Sequence, residues 1–583
     1  MMNKKKINKY CIYFVLITGL TACIAMLFPQ IRQMIIELTG HILHRKISLY
    51  QQWMKGLLSL AMGGIFFFIL LSYCSLTASG KIFVHMVKTE IRDCFTEINW
   101  RSFTKPILLM FVVYSLGILS LIRADFLYLD DIGRSIVGNR GFFPFSRYVP
   151  EFLSIFIHAN FQLMDISPLP QLIAIFILAV SSVLLVYVLN NRQITIIGLL
   201  ASIPLGLSPY MLECLSYRYD APYMALTVLV SIVPFLFIAY KKAFVFCSVI
   251  LLLIMWMTYQ AASGIYLLIT LILCFNKWNS KQETNREIFL FLGRAFLSFC
   301  MAMLIFKLFL MRPFNTYVSN AVLPLSQIFS GTLTNFQTYV NTISNDFGLI
   351  WKTFIGIIIC FFIAKSVYTS VQNRIYSFVA SVILLCLLFI LSFGAFIVLE
   401  HPLYAPRAMY GFGLLLSIIS ICLATKYNNN FAKIAVLALS WSFFVFAFSY
   451  GNALADQKRF ANFRIGILMQ DLSHLFPDKE DNKIIIQIKN SIGFSPVVRS
   501  MAIQYPIIYR LVPQMLMEND AWSNVYFLEY FNYSTTVLQM NMKEGEQFVD
   551  FNILDLPIVL KTYYHTIKSD GKRVLVELNK VIK

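Results

Sequence analysis

Residues 124–151 read ADFLYLDDIGRSIVGNRGFFPFSRYVPE, and this stretch separates two apolar segments that are each long enough to cross a bilayer. It carries the acidic pair Asp130 and Asp131, and it ends on Glu151. Between these carboxylates lie three arginines and four residues suited to turns: Arg134, Arg140, Arg147, Gly133, Gly138, Gly141 and Pro144. Ionisable groups are rare next to membrane spans and usually functional, so we expect the chemistry of the chain in this loop.

The composition on both sides of the loop is that of a membrane protein. Of 583 residues, 58% are hydrophobic and 13% are charged, against about 25% charged in soluble domains. We predict a polytopic α-helical membrane protein with thirteen spans, at 10–28, 57–79, 106–123, 168–190, 194–209, 222–240, 243–258, 261–275, 288–310, 348–368, 376–399, 408–425 and 433–449. The net charge of +19 lies largely in short connectors, which is typical of membrane topology. We therefore expect membrane lipids, and no nucleic acid, as partners.

The distribution of Lys and Arg predicts the orientation of the spans. With a cytoplasmic N-terminus, the basic connectors at 80–105, 191–193, 241–242, 276–287, 369–375 and 426–432 all face the cytoplasm. The basic, partly amphipathic stretch 30–56 is the exception, and it can lie along the membrane surface. The loop 124–151, the segment 213–220, the polar loop 312–347, the segment 400–407 and the C-terminal tail then share the outer face.

The chain divides into three predicted regions. Residues 1–105 form a two-span extension with a basic connector, residues 106–451 form the transmembrane core, and residues 452–583 form a small periplasmic α/β tail. In the tail, the pattern of 453–474 indicates a helix, the alternation in 483–489 indicates a strand, and Asp570-Gly571 indicates the turn of a hairpin.

Asp130 and Asp131 are the predicted catalytic residues. One aspartate can cap the helix that IGRSIVGN predicts. A carboxylate in a loop shielded by spans can also take a proton from an acceptor hydroxyl during glycosyl transfer. Capping explains one of the two residues, so we expect the other to be the base. The sequence favours Asp131 as the base, because Asp130 stands where a cap is needed.

Further charged residues at the same membrane face predict substrate binding. Arg147 and Glu151 are four residues apart and would pair on one helix face, with Arg147 free to bind phosphate or sugar oxygens. The segment 213–220 mixes charges with tyrosines, a combination that suits carbohydrate, and 400–407 places an arginine where it can hold a lipid phosphate. The predicted binding residues are Arg147, Glu151, Glu213, Arg218, Asp220, His401 and Arg407. Surface ion pairing, interfacial anchoring and snorkelling are the alternative roles of these side chains.

No cofactor is indicated with certainty. The chain has no phosphate-binding loop motif, which excludes an ATP-driven transporter of that class. The cysteines show no ligand spacing, so a structural zinc site is not expected. The clustered carboxylates leave room for a divalent metal, whose charge an arginine could replace.

Six motifs, in order, resemble the bactoprenol-linked Gtr glucosyl transferases, which add glucose to bacterial O-antigen and change serotype. They are LYLDDIGRSIVGNRGF (127–142), SRYVPEFL (146–153), DISPLPQLI (165–173), SPYMLECLSYRYDAPYMAL (208–226), PLYAPRAMYGFG (402–413) and FSYGNALADQKRF (448–460). The resemblance covers about residues 106–470, so the first two spans look like an addition to the family's core.

The resemblance implies a GT-C type architecture, an active site on the outer face and a donor of the undecaprenyl-phosphate-glucose type. It also implies an O-antigen acceptor, an inner-membrane location and a catalytic carboxylate at Asp130-Asp131. Two alternatives remain: a flippase or transporter of lipid-linked oligosaccharides, and an O-antigen polymerase. The scarcity of charge within the spans argues against a transport path.

Overall fold

The structure is a computed structural model that describes residues 4–42, 50–311, 321–427, 429–477, 485–518, 521–531, 556–571 and 573–579. It is mostly helical, with a small sheet near the C-terminus. The predicted fold class, an α-helical chain with a small α/β unit at its end, is confirmed at that level.

The described helices and strands follow in chain order. The first eight helices are α1 (Lys4–Ala25), α2 (Pro29–Ile42), α3 (Tyr50–Leu76), α4 (Ala78–Glu97), α5 (Arg101–Gly117), α6 (Leu119–Ala124), α7 (Asp130–Val137) and α8 (Tyr148–His158). The next eight are α9 (Leu169–Leu189), α10 (Ile196–Ala201), α11 (Ile203–Leu207), α12 (Pro209–Ser216), α13 (Ala221–Ile232), α14 (Lys241–Trp256), α15 (Ile265–Asn279) and α16 (Asn285–Ile305). The last eight are α17 (Ile328–Asp346), α18 (Leu349–Tyr368), α19 (Arg374–Leu391), α20 (Gly411–Lys426), α21 (Asn430–Leu475), α22 (Pro496–Gln504), α23 (Ile508–Leu511) and α24 (Ala521–Tyr530). The strands are β1 (Ile485–Lys489), β2 (Ile558–Lys561), β3 (His565–Ser569) and β4 (Arg573–Leu578).

Helices occupy all thirteen stretches predicted as spans, but they differ in length. Within the described ranges, seven helices are long and apolar enough to cross a membrane, and nine qualify if each of two bent helix pairs counts as one span. One bent pair joins α10 and α11 to α12 across an angle of 57°. The helices at the other four stretches are shorter: α5, α13, α14 and α20. The sequence therefore predicts where the apolar helices lie, while seven to nine are candidate spans by length and composition.

The basic connectors meet one another at one end of the helices. The Glu97 carboxylate accepts a 2.5 Å hydrogen bond from the Tyr240 hydroxyl and lies 3.6 Å from the Arg192 guanidinium. Glu90 accepts the backbone N–H groups of Lys242 and Ala243 at the start of α14, so it satisfies donors that a helix start leaves unpaired. These contacts join three of the connectors that the sequence assigns to one side of the membrane.

The long helix α21 anchors the beginning of the charged loop. A Cβ on Gly451 would lie 2.4 Å from the carbonyl carbon of Ser120, so α21 and α6 approach more closely than a larger residue would permit. The Ser120 hydroxyl donates to the carbonyl of Ala447 at 3.0 Å. Two turns further along α21 from Gly451, Lys458 pairs with the Asp125 carboxylate at 3.0 Å. These contacts fix the chain at the point where it leaves α6 for the loop.

The tail forms a four-stranded sheet in the order β1-β4-β3-β2. Strand β1 pairs with β4 in parallel, and β3 pairs with β4 as an antiparallel hairpin. The predicted strand at 483–489 and the predicted hairpin turn at Asp570-Gly571 are confirmed for the described residues. The predicted helix at 453–474 is also confirmed, but it belongs to α21, which runs without a break through the predicted boundary between residues 451 and 452.

The polar segment 312–347 is not a loop throughout. Helix α17 occupies most of its second half, and the Asp346 carbonyl at the end of α17 accepts the N–H of Ile507 in the tail at 3.2 Å. Residues 312–320 lie outside the described residues. The prediction of a loop was wrong for α17, because Leu333, Phe336, Val340 and Ile343 recur at the three- and four-residue spacing of an amphipathic helix. The many Ser, Thr and Asn residues between them favour a loop when composition alone is considered.

Candidate active site

The two adjacent aspartates lie in different environments. Leu129, just before α7, has φ +43° and ψ −103°, an unusual conformation for a leucine and a strained one. After this turn Asp131 is fully buried, whereas Asp130 is exposed. The first carboxylate is therefore accessible to a ligand and the second is not.

Asp131 binds backbone rather than solvent. Its Oδ2 accepts the N–H of Tyr128 at 3.2 Å and the N–H of Arg218 at 3.0 Å. Its Oδ1 is buried and has no hydrogen-bond partner among the described residues. Burial raises the pKa of Asp131 to about 8, because desolvation disfavours the charged form. Neither aspartate caps α7, which has Leu129 at its N-cap and no side-chain cap hydrogen bond, so the expectation that Asp130 caps this helix was wrong. Asp131 instead joins the turn before α7 to Arg218.

Three ion pairs hold the loop in place, and one of them, between Arg134 and Asp220, is largely buried on both sides. Arg134 binds Asp220 at 2.6 Å. Arg218 binds Asp125 at 2.7 Å and Asp165 at 2.6 Å. Arg218 and Asp220 belong to the turn between α12 and α13, so these pairs connect that turn to both ends of the loop region. The structure brings the loop 124–151 and the segment 213–220 together, as the sequence predicts.

The predicted pair between Arg147 and Glu151 is wrong. Glu151 binds the Arg140 guanidinium at 2.7 Å and accepts the N–H of Phe142 at 3.2 Å. Arg147 precedes α8 with φ −97° and ψ +74°, so it lies outside the helix whose four-residue spacing the prediction required. Glu151 therefore stabilises the loop from within.

Arg147 is half-buried between aromatic rings, and its Nε is inaccessible to solvent. Its guanidinium carbon lies 4.9 Å from the ring centre of Phe145 and 4.6 Å from that of Tyr259. Among the described residues it forms no ion pair, and its Nε has no hydrogen-bond partner. Burial lowers the pKa of the Arg147 guanidinium, yet a guanidinium keeps its charge at neutral pH. A half-buried cation without a carboxylate partner is costly, and an anionic ligand would offset that cost.

Arg407 lies beside Arg147 and is held by Glu213. The Glu213 carboxylate accepts the backbone N–H of Arg407 and lies 3.3 Å from its guanidinium. The Arg407 guanidinium carbon is 5.5 Å from the ring centre of Tyr217. The charges of Arg147 and Arg407 are close enough to act on each other. Two cations at short range form a pocket suited to a doubly charged or bidentate anion such as a phosphate.

Several buried polar atoms around this pocket lack a partner within the described part of the chain. They are the hydroxyls of Tyr217 and Tyr259 and the Nε of Arg147. The Tyr219 hydroxyl and the Asp131 Oδ1 also lack a partner there, but they lie near Arg134 and Arg218. An unsatisfied buried polar group costs about 1–3 kcal/mol, so folded proteins leave few of them. Their concentration beside two arginines indicates a site that a polar ligand completes.

His401 does not join the cluster. It is exposed on the segment before Pro402, and among the described contacts no hydrogen bond or ion pair connects it to the arginines or aspartates. The tyrosine hydroxyls and the ion-pair partners Asp125 and Asp165 were not predicted as site residues. These residues have apolar neighbours and lie far apart in the sequence, so no periodic pattern indicates that they belong to one site. The interleaving of Tyr217 and Tyr219 with charged residues was the available indication.

A metal site is not evident in the part of the chain that the structure describes. No group of three or more His, Cys, Asp or Glu side chains there is arranged to hold a metal ion. The nearby carboxylates of Asp131, Glu151, Glu213 and Asp220 are paired with arginines or backbone N–H groups, whereas Asp130 is exposed. The positive charge available to a ligand in this pocket comes from Arg147 and Arg407.

Comparison with known proteins gives two findings. The family model described as glucosyl transferase GtrII matches residues 119–448. A protein of Salmonella phage P22, described as an uncharacterized 55.3 kDa protein in the gtrB 5′ region, is 25% identical over 496 residues, which cover 79% of this chain and 99% of the phage protein. No solved structure gives a significant match to the chain. The matched residues include the loop 124–151, both arginines of the pocket and the turn between α12 and α13.

Proposed function

The chain belongs to the glucosyl transferase GtrII family, and on that premise we propose that it transfers glucose, or a related hexose, from undecaprenyl-phosphate-glucose to the O-antigen of lipopolysaccharide. The reaction takes place on the periplasmic face of the bacterial inner membrane and changes serotype. In this proposal the chain crosses the membrane thirteen times, with a cytoplasmic N-terminus and a periplasmic tail. The donor is carried by a lipid, because nucleotide sugars are confined to the cytoplasm.

The observation that carries the proposal is the pocket of Arg147 and Arg407. Both guanidinium groups lie over aromatic rings, and Arg147 is half-buried without an anionic partner among the described residues. A guanidinium binds phosphate oxygens in a bidentate manner. The phosphate that joins the lipid to the sugar would satisfy Arg147, and the free hydroxyls of Tyr217 and Tyr259 would donate to its oxygens or to those of the sugar.

The exposed carboxylate of Asp130 is the proposed base. It takes the proton of the acceptor hydroxyl while the hydroxyl oxygen forms a bond to C1 of the hexose. The bond from C1 to the phosphate oxygen breaks, and its electron pair leaves with the lipid phosphate. Arg147 and Arg407 stabilise the charge that develops on this leaving group. Asp131 cannot reach the acceptor in this geometry, and its role is to hold the turn that presents Asp130.

The other predicted binding residues act on the shape of the site. Glu213 orients Arg407, while Arg218, Asp220 and Glu151 pair with charged groups of the loop and the segment after it. Breaking the largely buried Arg134–Asp220 or Arg140–Glu151 pair costs about 3–5 kcal/mol, because the remaining charge is left without compensation. The exposed partners of Arg218 are screened by solvent, so the loss of its pairs costs less. Substituting any of the three is therefore expected to reduce the amount of folded protein before it reveals a role in binding.

The proposal is tested by sugar transfer with purified full-length protein in lipid nanodiscs. Polyprenyl-phosphate-glucose and O-antigen saccharide are supplied, and transferred glucose is measured. We expect Arg147→Gln to raise the KM for the donor by about tenfold or more, since a charge-assisted hydrogen bond contributes about 1.5–3 kcal/mol. The matched control is Arg123→Gln, an arginine at the end of α6 that contacts Asn452.

Three outcomes would count against the proposal. If Arg147→Gln and Arg123→Gln changed the donor KM equally, Arg147 would not be part of the phosphate site. Absence of any transfer by the wild-type protein, together with movement of lipid-linked sugar across the membrane, would favour a flippase. Extension of the acceptor by whole repeat units would favour a polymerase.

A further inference from the structure

Helix α12 is connected to the tail on one side. It has eight residues and carries Tyr210, Glu213 and Ser216 at three-residue spacing, which places them on neighbouring positions of the helix surface. The Tyr210 hydroxyl donates to Asp346 at 2.8 Å, and the hydroxyls of Ser216 and Tyr450 are 2.7 Å apart. Glu213 accepts the hydroxyl of Tyr128 at 3.2 Å.

Each of these three contacts leads to residues 507–511 of the tail. Arg510 binds the Asp346 carboxylate that accepts the Tyr210 hydroxyl, and it also donates to the carbonyl of Tyr404. The carbonyl of Leu511 lies 2.7 Å from the Tyr128 hydroxyl and 3.3 Å from the Tyr450 hydroxyl. A single short tail segment is therefore connected to Tyr210, Glu213 and Ser216 of α12, each through one intervening side chain: Asp346, Tyr128 and Tyr450.

The same helix holds one arginine of the donor pocket. Glu213 accepts the backbone N–H of Arg407 and pairs with its guanidinium. A helix of two turns has little stability of its own, and α12 bends by 57° away from the preceding helix pair. Its orientation, and with it the direction of the Glu213 carboxylate, must be fixed by tertiary contacts. Helix α12 packs against its neighbours in the bundle, and the polar contacts of Tyr210, Glu213 and Ser216 continue through Asp346, Tyr128 and Tyr450 to the tail.

We propose that residues 507–511 form a clamp that orients α12, and that Tyr128 and Arg510 are positioning residues for the Glu213–Arg407 pair. Tyr128 is central because its hydroxyl reaches both Leu511 and Glu213, and its ring is 1% exposed, so water cannot replace it. The inference rests on the proposed function in one respect, that Arg407 binds the phosphate of the donor. The tail then belongs to the donor site although it contributes no side chain to the phosphate itself.

Two variants and two matched controls test the clamp by kinetics with the full-length protein and polyprenyl-phosphate-glucose. Tyr128→Phe removes one hydroxyl and keeps the ring, and its control is Tyr114→Phe, whose buried hydroxyl bonds Ser182 at 2.6 Å. Arg510→Gln frees Asp346, and its control is Arg464→Gln, which donates to the Tyr564 carbonyl at 2.7 Å and attaches the tail to α21 away from α12.

We expect both clamp variants to raise the donor KM by about tenfold, while kcat and the acceptor KM stay within about twofold. The controls are expected to leave the donor KM unchanged even where they lower stability. A rise in the acceptor KM instead, or an equal rise in the donor KM for the controls, would overturn the clamp.

Hydrogen exchange of α12 without substrate gives a second readout that does not depend on transfer. Tyr128→Phe and Arg510→Gln are expected to speed exchange of the backbone amides in 210–216, and the control variants are not. Unchanged exchange in both clamp variants would overturn the proposal. If the wild-type protein transfers no sugar, the proposed function fails, and the exchange result alone then decides whether the tail orients α12.

Discussion

Asp130 and Asp131 are neighbours in the chain, and the backbone turn at Leu129 gives them opposite environments. Asp131 has no exposed surface and binds two N–H groups, while Asp130 is open to solvent. We predict that Asp130→Asn lowers kcat by about 10²–10⁴-fold with little change in either KM, as removal of a general base does. The rate of glucose transfer at saturating donor and acceptor is the measurement.

Asp131→Asn is the matched control for that prediction. The amide oxygen of asparagine can still accept the N–H groups of Tyr128 and Arg218. Because burial raises the pKa of Asp131 to about 8, the side chain is mostly neutral at pH 7, and the substitution changes its charge little. We expect activity within about tenfold of wild type. Loss of kcat in Asp131→Asn with normal activity in Asp130→Asn would restore the preference for Asp131 as the base.

The environment of Asp131 also predicts a pH dependence of stability. In the unfolded chain its pKa is about 3.9, and in the folded protein burial raises it to about 8. The folded state therefore holds this proton more tightly, and the stabilising contribution is complete below about pH 4 and is lost as the pH rises towards about 8. We expect the thermal midpoint of wild type to fall relative to that of Asp131→Asn between pH 5 and pH 8. A constant difference between the two melting curves would contradict the raised pKa.

At the scale of elements, α24 of the tail packs against α7, the helix that begins with Asp130. A Cβ on Gly133 would lie 3.0 Å from Cδ2 of the Tyr526 ring, so the contact requires glycine. We predict that Gly133→Val displaces α24, lowers the free energy of unfolding by about 1–3 kcal/mol through overpacking and reduces transfer. Adding Tyr526→Ala is expected to recover most of the activity, because it removes the ring that the valine would meet.

The control for this prediction is Gly466→Val. A Cβ on Gly466 meets nothing within 4 Å. The substitution therefore adds the same side chain at a helical position where it contacts no neighbouring element. Its activity should match wild type. If Gly133→Val stays impaired after Tyr526→Ala, the defect belongs to α7 itself and not to its contact with α24.

The sequence predicts which helices and strands form better than it predicts where each of them begins and ends. Runs of apolar residues identify the helices, because a helix buried in lipid or protein must present apolar side chains. The alternation of apolar and polar residues on either side of Asp570-Gly571 identifies the hairpin. Helix α21 was predicted as a span and a separate tail helix, since its composition changes near residue 452. No glycine pair or proline breaks it there, and contacts with α6 and the sheet carry the helix through. Helix α17 was missed because its Ser, Thr and Asn content indicates a loop, although Phe336, Tyr339 and Ile343 form an apolar face that packs on the bundle.

Prediction of the candidate site from the sequence is limited in the same way. The sequence predicts which loops meet, because carboxylates and arginines concentrate on one face. It does not predict partners: Glu151 binds Arg140 rather than Arg147 because Arg147 precedes the helix. The contacts that form the pocket, and those that connect α12 to the tail, join residues more than 80 positions apart in the sequence. The hydrogen bond from Tyr128 to Leu511 is an example. Such contacts follow from tertiary packing, which local patterns do not encode.

For the whole molecule, contacts divide the polar segments into two groups. The basic connectors meet one another through Glu90 and Glu97, and the charged loop meets the tail through Tyr128 and Lys458. Helices of the bundle separate the two groups. This separation is what the distribution of Lys and Arg predicts, so the charged loop and the tail are expected on the outer side, opposite the basic connectors.

Cysteine labelling in intact cells tests that orientation. Val137, at the end of α7, is 43% exposed and Tyr563, in the tail, is 74% exposed, whereas Gln282 is exposed in a basic connector. We predict that a membrane-impermeant maleimide labels Val137→Cys and Tyr563→Cys in intact spheroplasts and labels Gln282→Cys only after permeabilisation. The wild-type protein, with its own cysteines, sets the background. Labelling of Gln282→Cys in intact spheroplasts, with Val137→Cys protected, would invert the topology and place Asp130 in the cytoplasm, where a lipid-carried donor would no longer be required. Labelling of Val137→Cys alone would separate the tail from the loop and would contradict the contacts of 507–511 on which the clamp depends.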